Sequence, residues 1–121
     1  MVRTNIIAEV GVNHNGDLSL AKDLIDAAVE AGADTVKFQT FSAERVATRN
    51  APKAAYQIPQ TKEDVSQFEM LRRLELKQPW HYDLIERCEN KNIEFLSTGF
   101  DCEDIQFLIN LGQKRLKIPS G

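Results

Sequence analysis

Cysteine is scarce in this chain: Cys88 and Cys102 are the two there are. They lack the close spacing of a metal-binding pair, and a disulfide framework needs more of them. Positive charge is not in excess either. Fifteen Lys and Arg against 18 Asp and Glu give a net charge of −3, which offers nothing to nucleic acid or to an anionic membrane surface. No apolar run approaches the roughly 20 residues of a membrane-spanning helix. The opening MVRTNIIAEV has no charged leader followed by a long apolar core and a small-residue cleavage site, so no signal peptide is read. A reducing cytoplasm is the expected compartment. Also missing is a Gly-x-Gly-x-x-Gly after the first apolar run, which weighs against dinucleotide binding. What remains, with 42% hydrophobic and 27% charged residues over 121 positions, is one globular domain's worth of chain.

The stretch from Ile6 to Gly16, IIAEVGVNHNG, organises the rest. Its apolar run reads as a buried strand that carries one acid, Glu9, and then breaks into the polar loop Asn13-His14-Asn15-Gly16. An ionised carboxylate in a dry interior costs several kcal/mol unless it is paired, so a partner for Glu9 is expected. Asp17 or Ser19 can cap the helix that follows. That helix, Leu18 to Ala31, has Leu20, Leu24, Ala27, Ala28 and Ala31 at helical spacing, with Gly32 placed to end it. Ala33 to Phe41 reads as a second strand. Ser42 to Thr61 holds Pro52 and Pro59 without a clear period and reads as an irregular surface excursion.

Glu63 to Leu76 again shows a helical stripe. A further helix runs from Gln78 to about Asn90, with Pro79 in its first turn. Ile93 to Phe100 reads as a third strand, and Asp101 to Leu111 as a short helix capped by Asp101 and stopped by Gly112. Arg115 to Pro119, RLKIP, is expected to be a fourth strand. Strands separated by helices pair in parallel. The fold class is therefore α/β, with four parallel βα units forming a small open sheet or part of a barrel.

Side chains alternate across a strand. Lys37 lies between Val36 and Phe38, Lys117 between Leu116 and Ile118, and Glu9 between Ala8 and Val10, while Thr98 sits at the end of the third strand. With the apolar neighbours under helices, these polar residues fall together on the other face. They lie near the C-terminal strand ends, where parallel α/β folds bind ligands. Two lysines, an acid and a hydroxyl there suit an anionic substrate. A single strand lysine is commonly an edge residue or a snorkelling stem, and Glu9 can simply pair with a structural cation; two lysines on different buried strands each carry a desolvation cost and are harder to set aside. His14 reads either as a loop histidine satisfied by backbone or as a ligand-facing residue. His81, after Trp80, reads as structural or exposed. Cys102 has no base near it in sequence. Tyr56 and Gln57 either cover a ligand or anchor their loop.

IIAEVGVNHNGDLSLAKDLIDAAVEAGADTVKFQTF, APKAAYQ, FLSTGFD and LKIPSG, in this order and at these separations, together resemble the N-acetylneuraminate (sialic acid) synthase family. The resemblance implies a (β/α)8 TIM-type barrel, of which residues 1–121 are the N-terminal half with about four strands. The remaining strands and a C-terminal antifreeze-like domain are expected to be absent. It also implies condensation of phosphoenolpyruvate with N-acetylmannosamine or a related 2-acetamido sugar, giving a nine-carbon 2-keto-3-deoxy sugar acid and phosphate. A divalent metal, Mn2+ or Mg2+, makes the sugar's aldehyde electrophilic, and the whole protein is expected to be a homodimer.

Carried over by position, Glu9 matches the first-strand acid that contacts the sugar and assists proton movement. Lys37 and Lys117 match the pair that holds the carboxylate and phosphate of phosphoenolpyruvate. Thr98 and Ser120 match hydroxyls of the same pocket, Gln39 a polar residue near the substrates, and His14 the family's N-H-x-G loop. The metal's two histidines are expected outside this chain, so the 121 residues alone are expected not to catalyse. The competing readings are a non-catalytic half-barrel that binds anions or pairs with a second copy, and another phosphoenolpyruvate-using synthase of 3-deoxy sugar acid phosphates.

Overall fold

A computed structural model describes residues 2–50 and 62–120. Three strands, β1 (Ile7–Gly11), β2 (Thr35–Thr40) and β3 (Glu94–Gly99), form one parallel sheet in the order β1-β2-β3. Helix α1 (Leu18–Glu30) follows β1, and α5 (Cys102–Asn110) follows β3. Between β2 and β3 come α2 (Ala43–Asn50), α3 (Lys62–Arg73) and α4 (Gln78–Asn90). The APKAAYQ stretch lies outside the described residues.

The helices sit where their sequences start and stop them. Asp17, not Ser19, caps α1: its carboxylate accepts from the Leu20 amide at 3.2 Å, satisfying an amide that the first turn leaves free. Asp101 does the same for α5 through the Asp104 amide at 2.9 Å. Pro79 stands in the first turn of α4, where no backbone donor is needed.

Helices α1 and α4 cover one face of the sheet, and no helix among the described residues packs on the other. Val10, Val36, Phe38, Phe95 and Ile93 pack with Ala21, Ile25 and Ala28 of α1 and Leu84 and Cys88 of α4. Phe38 and Phe95 stack with centroids 5.5 Å apart. Burial raises the Cys88 thiol to about 12, which makes it an inert packing residue. Across α1 and α4, Arg87 Nε donates to Asp26 Oδ1 at 2.9 Å.

Two expectations need correction. Residues 43–50 are helical, although they were expected to be irregular; their apolar content is too low to show a period, and Ala43 alone is buried among those described. Arg115 to Pro119 is not a strand. The edge of β3 is taken instead by a side chain. The Gln113 carboxamide accepts from the Ser97 amide at 2.8 Å and donates to the Ser97 carbonyl at 2.9 Å, two ladder groups that a fourth strand would use. Arg115 also turns onto the sheet, pairing with Glu94 and donating to Thr35 Oγ1 at 3.2 Å.

Candidate active site

The register places the polar residues in rows on the helix-free face. Glu9 stands opposite Lys37, and Lys37 opposite Leu96. One step further toward the C-terminal ends, Gln39 stands opposite Thr98. Because side chains alternate, all of these point away from α1 and α4. A bulge after Glu9 shifts the pairing so that Gly11 meets Phe38.

Lys37 forms an ion pair with Glu9; their side chains are 17% and 46% exposed. The expectation of a dry, buried Glu9 is thus corrected: the acid lies on an open face, and the lysine is the more enclosed partner. The pair holds the Lys37 ammonium across the face toward β1. Gln39 joins the same group, since the site of an absent Cβ at Gly11 lies 2.9 Å from Glu9 Oε1 and 3.5 Å from Gln39 Nε2. Thr98 is 4% exposed, and its hydroxyl has no hydrogen-bond partner among the described residues. A buried hydroxyl left unpaired costs about 1–3 kcal/mol, so this group is poised for a ligand or a water.

A recess of about 340 Å³ runs over this face, lined by Ile7, Glu9, Lys37, Leu96, Arg115, Leu116 and Lys117. Lys117 thus reaches the group although its segment is not a strand. Its exposed ammonium donates to its neighbour's carbonyl, Ile118, at 2.6 Å, and no carboxylate pairs with it among the described residues. Ser120 is exposed and makes no described hydrogen bond to the others.

His14 sits apart from the group. It is fully buried, with its ring 6.4 Å from that of Phe38 on the helix-covered side. The Gly16 amide donates to Nδ1 at 3.0 Å, burial pushes the imidazole's pKa down, and the proton therefore rests on Nε2. His81 is buried too, with both ring nitrogens engaged. Among the described residues no group of three His, Cys, Asp or Glu side chains is disposed to hold a metal ion.

A second polar cluster, missed in the sequence, ties the loops that leave β2 and β3. Arg45 of α2 donates from Nε to Asp101 Oδ2 and from Nη2 to Asp104 Oδ1, each at 2.6 Å, and lies 3.1 Å from Glu103. Burial and the neighbouring Asp101 carry the Asp104 carboxyl up to about 6 against the pull of Arg45. The partners are 56 to 59 residues apart, so no local pattern announces them.

A parallel sheet with helices on one face, and polar groups gathered at the strand ends of the other, is the geometry of one sector of a βα-barrel enzyme. Known proteins narrow this class. The NeuB family profile matches residues 24–121, and the chain belongs to that family. It is 58% identical over 116 residues to an N,N'-diacetyllegionaminic acid synthase of Legionella pneumophila, covering 96% of this chain and 33% of that protein. An enzyme of the same name from Campylobacter jejuni is 52% identical over 121 residues, covering 100% of this chain and 36% of its own length. The N-acetylneuraminic acid (sialic acid) synthetase of Leptospira borgpetersenii, solved in complex with citrate, superposes with a TM-score of 0.76 at 32% identity over 95% of this chain and 36% of its own. The chain thus spans about a third of the length of the curated relatives it matches. No helix among the described residues is long and apolar enough to cross a membrane.

Proposed function

We propose that the full-length protein condenses phosphoenolpyruvate with an acetamido hexose to give a nine-carbon 2-keto-3-deoxy sugar acid and phosphate. The observation that carries this reading is the row of Glu9, Lys37, Gln39 and the unpartnered Thr98 hydroxyl on the open face, with Lys117 lining the same recess. Lys37 and Lys117 hold the carboxylate and phosphate of phosphoenolpyruvate, and the Thr98 and Ser120 hydroxyls add donors to the same anion. Carbon 3 of the enol ester attacks the sugar's aldehyde carbon, forming the new C–C bond. Water then adds at carbon 2, and the tetrahedral intermediate expels phosphate with C–O cleavage. Glu9, beside Gln39, is the group that moves the proton during attack and hydration.

The acceptor is best read as a diacetamido hexose of the legionaminic type, with N-acetylmannosamine next. Names of the relatives at 58% and 52% identity support that order. A divalent metal that polarises the aldehyde belongs, on this reading, to parts of the relatives outside the matched third, as does a homodimer contact. The test is to offer the full-length protein both acceptors with phosphoenolpyruvate and Mn2+ and to identify products by mass. A nonulosonic acid formed faster from the diacetamido sugar supports the reading; no product from either acceptor overturns it.

A further inference from the structure

Behind the open face, on the helix-covered side, lies a chain of three buried polar side chains that the proposed reaction does not use. His81 of α4 is fully buried, and Thr40 and Ser97 are 2% and 1% exposed. His81 Nδ1 lies 3.0 Å from the Lys77 carbonyl and 3.2 Å from that of Gln78. Carbonyls only accept, so Nδ1 carries a proton. Burial pushes the imidazole's pKa down, the backbone contacts opposing it, and the neutral ring then offers Nε2 as an acceptor. Thr40 Oγ1, 2.8 Å away, donates to it. Ser97 Oγ, 2.6 Å from Thr40 Oγ1, donates in turn to Thr40. Every proton in the chain therefore has one direction, from β3 through β2 to the first turn of α4.

The ring is also held edge-on by Phe107 of α5 at 4.9 Å and by Phe95 of β3 at 6.2 Å. His81 thus contacts both strands whose ends carry the site. Thr40 directly follows Gln39, and Ser97 directly precedes Thr98. Gln39 and Thr98 face each other across the ladder with their side chains on the opposite side from the chain. Fixing Thr40 and Ser97 to each other sets the spacing and tilt of these strand ends, and with them the two side chains that project into the site. An apolar trio would fill the same space without leaving polar atoms to satisfy.

We propose that His81 is a positioning residue, which through Thr40 and Ser97 holds Gln39 and Thr98 at the working geometry; the inference rests on the function proposed above. The test uses the full-length protein with Thr40→Val, which keeps shape and removes the hydroxyl, and Thr40→Ser, which restores it. The Gln39 side-chain amide and the Thr98 methyl, read by NMR, are expected to shift in the first variant and return in the second. Turnover is expected to fall on the order of ten- to a hundredfold in Thr40→Val, mostly in kcat, and to recover in Thr40→Ser. Unmoved Gln39 and Thr98 signals, or unchanged kcat and KM beside a lower melting temperature, overturn the proposal. Should Thr40→Val not fold, long-range 1H–15N correlation of His81 in the wild type decides. A proton on Nδ1 with Nε2 bare supports the chain, and the other tautomer overturns it. Wild-type inactivity with phosphoenolpyruvate would instead defeat the proposed reaction, while the Gln39 and Thr98 signals would still judge the positioning.

Discussion

Replacing Gly11 by alanine tests whether the Glu9 carboxylate must stay where β1 puts it. Gly11 has φ +56°, a backbone region that costs a residue with a Cβ roughly 1–2 kcal/mol. The added Cβ would also come within 2.9 Å of Glu9 Oε1, while 3.5 Å to Gln39 Nε2 is ordinary contact. The carboxylate therefore has to move, and movement strains its ion pair with Lys37. With Glu9 nearly half exposed, that pair contributes about 1 kcal/mol or less. The combined stability loss is expected at about 1–3 kcal/mol, mostly from the backbone. The effect on turnover should be much larger in proportion, because a catalytic group displaced by about 1 Å can lose on the order of a hundredfold. Urea denaturation measures the first quantity and steady-state phosphate release the second. A Gly11→Ala protein that shows the stability loss but keeps wild-type turnover would refute the role given to Glu9.

Further expectations follow from single groups. Lys117→Ala should raise KM for phosphoenolpyruvate at least tenfold, the loss of about one charged hydrogen bond, and change KM for the sugar little; equal change in both would remove its assignment to the phosphoenolpyruvate anion. Asp104, pushed up to about 6 from an ordinary value of 3.8, holds a proton in the folded state that the unfolded chain releases. Its contribution to stability therefore falls as pH rises from about 4 to about 6. Asp104→Asn should remove that slope from urea midpoints measured across the window, and an unchanged slope would contradict the burial argument. The 121-residue chain by itself exposes Ile7, Leu116 and Ile118 at 42%, 48% and 65%. It should self-associate in light scattering, and a dilute compact monomer would count against this.

Much of this arrangement is legible in the sequence. Apolar runs and alternation located the three strands and helical spacing located α1 and α3, while Pro79 and the Asp101 and Gly112 boundary signals located α4 and α5. Strand parity gathered Glu9, Lys37, Gln39 and Thr98 on one side. The misreadings have physical causes. Helix α2 has too few apolar residues to show a stripe, and Arg45 ties it to Asp101, the cap of α5, and to Glu103 and Asp104 in that helix's first turn. The alternation of Leu116 and Ile118 resembles a strand, but a strand is defined by its partner, and Gln113 holds the Ser97 ladder groups. Glu9 was expected in a dry interior because sequence does not reveal that its face is open. His81 looked ordinary because Thr40, its hydrogen-bond partner, lies 41 residues earlier in the chain.

In the function proposed above, the open face of this sheet binds phosphoenolpyruvate for attack on a sugar aldehyde. This is tested most directly by following phosphate release from phosphoenolpyruvate by the full-length protein with Mn2+, with and without the diacetamido hexose, in wild type and Lys37→Ala. Release is expected to depend on the acceptor sugar and to be lost in Lys37→Ala despite a folded protein. Release without an acceptor, or Lys37→Ala turning over like the wild type, would contradict it.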